Sequence, residues 1–358
     1  MTTRYDHRSV ELQDPDTEEA WSAYRLSDMP QILDGYHKAV VLAALMRTGV
    51  LQRLREGRTD LEDLLGGLDP YFGEKLLGWL STAGYTRRID GGYTPTEAGT
   101  TLFSDTSLAQ LSFYIEAYGP VTQRIEDLLR GAAHYGHDIE RDGAALGRSC
   151  NTLFDLYHID VVLEAFARRS ASCALDLGCG AGGFLIEAAR RDQKFCGIGL
   201  DISEGAIAEA SKRAVEAGVA ERVSFHVADA FDAATWPANC ARADALFAAG
   251  VLHEHFRQSE EAVIEILNGF AAAWSRGLKS IILGEPELYY DRQDNDSDLD
   301  LVHILTLQGF PRRRTGWLEL FPRSELACRA VYSRRNAGPR FAFYDLAPRG
   351  LEGPEQSA

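Results

Sequence analysis

From Cys173 onward, short apolar runs alternate with longer runs of helical period, and this rhythm constrains the fold more than any other feature. Cys173–Leu177, Phe195–Leu200, Arg222–Val227, Ala243–Ala248 and Lys279–Gly284 read as strands. Helical patterns fill the gaps at 184–190, 205–217 and 260–274. Parallel neighbours need a long crossover, and a helix is the usual one, so the alternation predicts a parallel sheet covered on both faces. Two β-prone runs, Glu325–Tyr332 and Arg340–Leu346, follow around Arg335–Pro339. They predict an antiparallel hairpin closing an otherwise parallel, Rossmann-like sheet of seven strands.

The first half has another pattern. Ile32, Tyr36, Val40, Ala43, Leu45 and Leu51 recur at helical spacing. Thr59-Asp60-Leu61-Glu62 reads as a capped helix start, and Tyr71–Ala83 as a third helix. Asp90-Gly91-Gly92 between two short β-prone runs is a hairpin signal. Three helices and a hairpin predict a winged helix, with longer helices following at 106–130 and 151–169. Residues 1–27 read as weakly ordered. A chain of 358 residues exceeds what one core usually supports. The expected division is a helical domain over 1–150 and an α/β domain over 151–358.

A winged helix raises the question of DNA. Its third helix, Tyr71–Leu80, carries one lysine and no arginine. With 37 basic against 53 acidic side chains, the net charge of −16 repels a polyanion. No nucleic acid is expected as a partner, and a small molecule is the better substrate. No apolar run approaches the roughly 20 residues that cross a bilayer, so no membrane association is expected. The mixed-charge N-terminus resembles no targeting segment. A cytoplasmic location is expected, with the six cysteines (150, 173, 179, 196, 240 and 328) as buried reduced thiols.

The first strand of the α/β half runs into Asp176-Leu177-Gly178-Cys179-Gly180-Ala181-Gly182-Gly183. Glycines at 178, 180 and 182 let the backbone turn tightly and approach a ligand. Asp201 ends the second strand, where a carboxylate can accept both hydroxyls of a ribose. Asp229 and Ala230 end the third, where an aspartate can meet an adenine amine. Together with the closing hairpin, these resemble the class I S-adenosylmethionine (SAM)-dependent methyltransferases, whose D-x-G-x-G-x-G motif stands at Asp176–Gly182. That resemblance covers about 170–350. It implies that Gly178, Gly180 and Gly182 line the methionine portion of SAM, Asp201 the ribose, and Asp229 with Ala230 the adenine. A nicotinamide dinucleotide site would want G-x-G-x-x-G, which this loop lacks.

The fourth strand leads into His253-Glu254-His255-Phe256. Ligands of open α/β sheets bind beyond the carboxyl ends of the strands, so His253 is the expected proton acceptor near the transferred methyl. The two-domain order is similar to the caffeate-type small-molecule O-methyltransferases, whose N-terminal winged helix serves dimerisation and lids the substrate. In them a histidine at this place deprotonates the acceptor hydroxyl. A branch of that family, the 2-oxo acid C-methyltransferases of peptide-antibiotic biosynthesis acting on phenylpyruvate or 2-oxoarginine, binds a metal through two histidines and a carboxylate. By that resemblance the ligands are His253, Glu254 and His303, which lies in Leu299–Leu307. The ion would be divalent or ferric, iron or zinc. The reaction would be C3 methylation of a 2-oxo acid through a metal-stabilised enolate. The alternative is a metal-free O-methyltransferase with His253 as general base. A homodimer is implied in either case. Adjacent residues point apart on a strand and about 100° apart on a helix, so His253 and Glu254 can share an ion only from a turn or helix start.

The run Glu285, Glu287, Asp291, Asp294, Asp296, Asp298 and Asp300 would suit a guanidinium tail or simply form a solvated loop. Arg312, Arg313 and Arg314 would pair with a substrate carboxylate or with those acids.

Overall fold

The structure is a computed structural model in which residues 12–274, 277–291, 299–334, 338 and 340–351 are described. The chain forms two compact units, Met1–Ser104 and Asp105–Ala358. The helices over 105–150, expected with the N-terminal domain, therefore fold with the sheet. The reason lies in packing: helix Gly143–Tyr157 bears on Ser112–Ala117 and on helix Gly183–Arg191, which flanks the sheet.

The first unit is helical: Pro15–Leu26, Met29–Arg47, Val50–Arg55, Leu61–Leu65, Pro70–Thr82 and Glu97–Leu102. Segment 15–26, expected to be weakly ordered, is a helix because Asp14 caps it, accepting from the Asp16 and Thr17 N–H groups. Residues 1–11 lie outside the described residues. The expected hairpin is present as β1 (Thr86–Ile89) and β2 (Gly92–Pro95), paired antiparallel around Asp90-Gly91. Leu51, Leu54, Leu64, Leu77 and Leu80 form the buried centre of this unit. Ile32, Tyr36 and Val40 share the helical period but are exposed, at 59%, 65% and 43%.

In the second unit the run expected to be one helix over 106–130 is broken. Asp105–Leu111 passes into a wide π-helical turn, Ser112–Ala117, and Gly119-Pro120 starts a fresh short helix. Proline cannot donate to the preceding turn, and the segment re-registers there.

The sheet has seven strands: β3 (Cys173–Leu177), β4 (Cys196–Asp201), β5 (Val223–Val227), β6 (Ala245–Ala249), β7 (Ser280–Pro286), β8 (Leu326–Tyr332) and β9 (Phe341–Pro348). Their order is β5-β4-β3-β6-β7-β9-β8. β5, β4, β3, β6 and β7 are parallel, and the hairpin β8–β9 adds antiparallel to β7. The expected connection at 335–337 and 339 lies outside the described residues. Alternate residues of each strand feed opposite core layers. Leu175, Leu177, Leu246 and Leu283 face helix Glu260–Ala273 and Trp317, while Ala174, Phe247 and Ile282 face helices Ile159–Arg168 and Gly183–Arg191. Strand order reverses between β3 and β6, the place where open α/β sheets bind their ligands.

One expectation is overturned. Cys173 and Cys196 are joined by a disulfide rather than standing as reduced thiols. Parallel register sets them directly opposite on β3 and β4, with Cα atoms 4.6 Å apart. A separation of 23 residues with no C-x-x-C spacing hides that neighbourhood in the sequence. Cys150, Cys179, Cys240 and Cys328 are free, and Cys150 is exposed.

Candidate active site

The glycine-rich turn after β3 is built by its own backbone and by Asp201. Gly178, Gly180 and Gly182 all take positive φ (77°, 51° and 72°), which a side chain would strain. The Gly178 and Cys179 N–H groups donate to Leu200 O at 2.8 and 3.0 Å. Gly180 N–H donates to Asp201 Oδ2 and Ser203 N–H to Asp201 Oδ1, both at 2.9 Å. Asp201 thus ties the tip of β4 to the loop. Asp176 is buried at the end of β3, and burial with the nearby Asp201 charge pushes its pKa up to about 8. A cation brought into this turn would restore its ionised form.

Asp229 follows β5 and accepts from Phe231 N–H at 2.9 Å. It lines a hollow of about 400 Å³ with Phe231, Trp236, His255 and Phe270. Ala230 is buried in the core layer, so its side chain does not reach that hollow. His255, the second histidine of the turn, sets its ring 4.4 Å from Phe231 and away from the other histidines.

Beyond β6 the chain enters a short 3-10 turn, Leu252–Arg257. His253 is buried there, and its Nδ1 lies 2.7 Å from Glu285 Oε2. The other Glu285 oxygen accepts from Leu252 N–H at 2.9 Å. Glu285 sits near the end of β7 with 1% of its surface exposed. His303, on helix Leu299–Thr306, places Nδ1 2.7 Å from Leu299 O and Nε2 3.2 Å from His253 Nε2. Burial, then His253, lowers the His303 pKa to about 4, with the Arg141 charge also contributing.

These contacts dictate the tautomers. A carbonyl oxygen only accepts, so His303 Nδ1 carries its proton, and an ionised Glu285 likewise requires Nδ1–H on His253. In two neutral rings both Nε2 atoms then present lone pairs to each other. One proton or one other cation between them removes that repulsion.

The three residues expected to share an ion are therefore only partly gathered. His253 and His303 meet. Glu254 instead turns its carboxylate toward Arg141, with Oε1 3.6 Å from Nη2. Among the described residues no three His, Cys, Asp or Glu side chains converge as a bound ion would need. Two donors fit a metal in this arrangement and the third does not.

Gly309 explains how the His303 segment comes so close. Its φ is +108°, and an added Cβ would stand 2.2 Å from His253 O. Gly309 carries a signal visible in the sequence, a glycine just past a helix, whereas Glu285 is one acid of a run that continues to Glu287 and Asp291. The acids beyond them divide. Glu287 pairs with Arg314 at 2.6 Å, Asp291 with Arg313, and Arg312 with Glu260, while Asp294, Asp296 and Asp298 lie outside the described residues. Among the described residues no helix is long and apolar enough to cross a membrane.

Residues 174–270, from β3 through most of the helix after the histidine turn, match the methyltransferase domain family. The matched segment lies within the second unit and resembles that family over 97 of the 358 residues. Methyltransferase ungE' of Aspergillus campestris is 29% identical over 114 residues, which are 31% of this chain and 33% of that protein. The match thus spans about a third of its length. Among solved structures, human N-acetylserotonin methyltransferase in complex with SAM aligns over 91% of this chain and 97% of its own at 18% identity, with a TM-score of 0.67. The mitomycin 7-O-methyltransferase aligns over 92% and 99% at 19% identity, with a TM-score of 0.63. At such identities the shared property is the fold.

Proposed function

We propose that this protein is a SAM-dependent methyltransferase that moves a methyl group to an acidic hydroxyl of a small molecule, with His253 taking the proton. The observation that carries the reading is the buried His253–Glu285 pair at 2.7 Å, beyond β6 at the switch in strand order. The glycine turn, Asp201 and Asp229 would hold the cofactor, as their places at the tips of β3, β4 and β5 suggest. Asp201 would offer a carboxylate to a sulfonium ligand, and Asp176 would ionise as that cation binds.

In this reading the acceptor O–H passes its proton to the His253–His303 pair. The acceptor oxygen attacks the sulfonium methyl, an O–C bond forms, and the S–C bond breaks. The products are the methyl ether and S-adenosylhomocysteine. Glu285 fixes the ring through Nδ1–H and stabilises the imidazolium. Once His253 takes the proton on Nε2, that N–H faces the Nε2 lone pair of His303 at 3.2 Å and donates to it.

A second reading takes the acceptor as a 2-oxo acid methylated at C3, in natural-product biosynthesis. One observation favours it: the Nε2 atoms face each other at 3.2 Å, which suits a shared iron or zinc ion as well as a proton. When bound, such an ion would polarise the ketone of the acceptor. His253 and His303 would hold it, and Glu254 would have to leave Arg141 to join them. We also propose a cytoplasmic homodimer, in which Ile32, Tyr36 and Val40 are covered by the second copy.

Incubation with SAM and a panel of phenols, hydroxy acids and 2-oxo acids, with and without a chelator, tests both readings by mass spectrometry. Methylation on oxygen that survives the chelator is expected. Methylation on carbon that the chelator abolishes would replace the first reading by the second. No methylated product from any acceptor would overturn both.

A further inference from the structure

Arg141 has a place in this site that proton transfer does not use. Its backbone is pinned, because Asp142 N–H donates to Ala117 O at 2.8 Å and Asp142 Oδ1 caps helix Gly143–Tyr157 through Ala145 N–H at 2.9 Å. Its side chain, a quarter exposed, reaches the turn that follows the His303 helix. Nη1 donates to Gln308 Oε1 at 2.8 Å and to Tyr118 Oη at 3.2 Å. Both acceptors are neutral.

Nε and Nη2 form the other edge of the fork. Among the described residues neither donates a hydrogen bond of normal length, and Glu254 Oε1 stands off at 3.6 Å. A largely desolvated guanidinium with a loosely held counter-ion is costly to bury. A planar carboxylate meeting Nε–H and Nη2–H together is the complement that this edge lacks. The chain as a whole carries a net charge of −16, so an anionic acceptor enters only where a local cation receives it. Arg141 is such a cation, and it faces Glu254, the chain neighbour of His253.

We propose that Arg141 binds a carboxylate on the methyl acceptor, so that the substrates are small organic acids, and that Glu254 holds the guanidinium until the acceptor displaces it. The proposal rests on the functional reading above and deepens it. Arg141 is a specificity residue, since its fork grips a part of the acceptor that takes no share in the chemistry.

Calorimetry in the presence of S-adenosylhomocysteine, with salicylate, phenylpyruvate and the primary amide of each, tests it. The intact protein is expected to bind at least one acid on the order of 10- to 100-fold more tightly than its amide, the range for a hydrogen-bonded charge. Arg141→Gln should bring acid and amide within about threefold of each other while S-adenosylhomocysteine affinity holds, and Arg141→Lys should keep part of the preference. Glu254→Gln, which removes the competing carboxylate and leaves the fork in place, should tighten acid binding several-fold and leave amide binding alone. Acids that bind no better than amides, or not at all, would overturn the proposal. So would an acid preference that survives Arg141→Gln, or, if that variant does not fold, acid binding weakened by Glu254→Gln. Acids that bind as expected but are never methylated would leave this proposal standing and sink the functional reading instead.

Discussion

The two halves of the site are built by different means. The half proposed to hold the cofactor is made largely of backbone from one strand-turn-helix segment, with Asp201 bracing Gly180 from the next strand. The half proposed to receive the methyl acceptor is made of side chains from distant segments: Arg141, His253, Glu285, His303 and Gln308. A backbone cradle is tolerant of side-chain identity except where φ is positive. A side-chain cluster depends on each member and on whatever positions it. Changes in the acceptor half should therefore alter turnover, and changes in the cofactor half should alter binding.

After removal of His253 itself, the largest effect expected from that contrast is at Glu285. Glu285→Gln keeps the shape but loses the charge that holds His253 Nδ1–H, so kcat should fall on the order of 10- to 100-fold with S-adenosylhomocysteine affinity unchanged. Steady-state kinetics beside calorimetry check this, and a matching loss of cofactor affinity would erase the distinction between the halves.

Next comes Asp176. Its folded pKa is raised from 3.8 to about 8, so between those values the folded state holds a proton that the unfolded state has released. Stability from this group is present at low pH and is lost as pH rises through about 8. A cationic ligand favours the ionised form, so SAM binding should tighten as pH rises toward 8, by up to about tenfold per unit. Asp176→Asn should flatten that profile without the tenfold losses in kcat expected at Glu285.

Gly309→Val joins the halves of the comparison through structure alone. Its Cβ would collide with His253 O, and its φ of +108° disfavours any side chain. A loss of about 1–3 kcal/mol of stability is expected in a thermal or denaturant melt, with kcat reduced as His253 shifts. The smallest functional effect belongs to the disulfide. Cys173→Ser with Cys196→Ser opens a loop of 23 residues and should cost about 2–4 kcal/mol, leaving cofactor affinity and kcat alone.

The same contrast explains what was legible in the sequence. All seven sheet strands could be read from β-prone runs within two residues of their observed ends; the central strands β3, β6 and β7 are buried almost throughout, while the edge strands β5 and β8 are mostly half-buried. Asp176 to Gly182 were legible because the cradle is contiguous. His253 was legible from its place after β6, and His303 from a resemblance. Glu285 read only as one acid in a run, since nothing in a linear pattern says that β7 ends beside β6 with that carboxylate inward. Arg141 carried no signal at all: a wide π-helical turn and a capped helix bring it to the site from over a hundred residues away. The disulfide was missed for a related reason, since parallel register joins residues that sequence spacing keeps apart.

Transfer of label from methyl-labelled SAM to an acceptor, by the intact protein and by His253→Ala, tests the central claim most directly. Loss of the general base should slow transfer by about 10²- to 10⁴-fold while S-adenosylhomocysteine still binds with unchanged affinity. Equal rates from the two proteins would contradict the account.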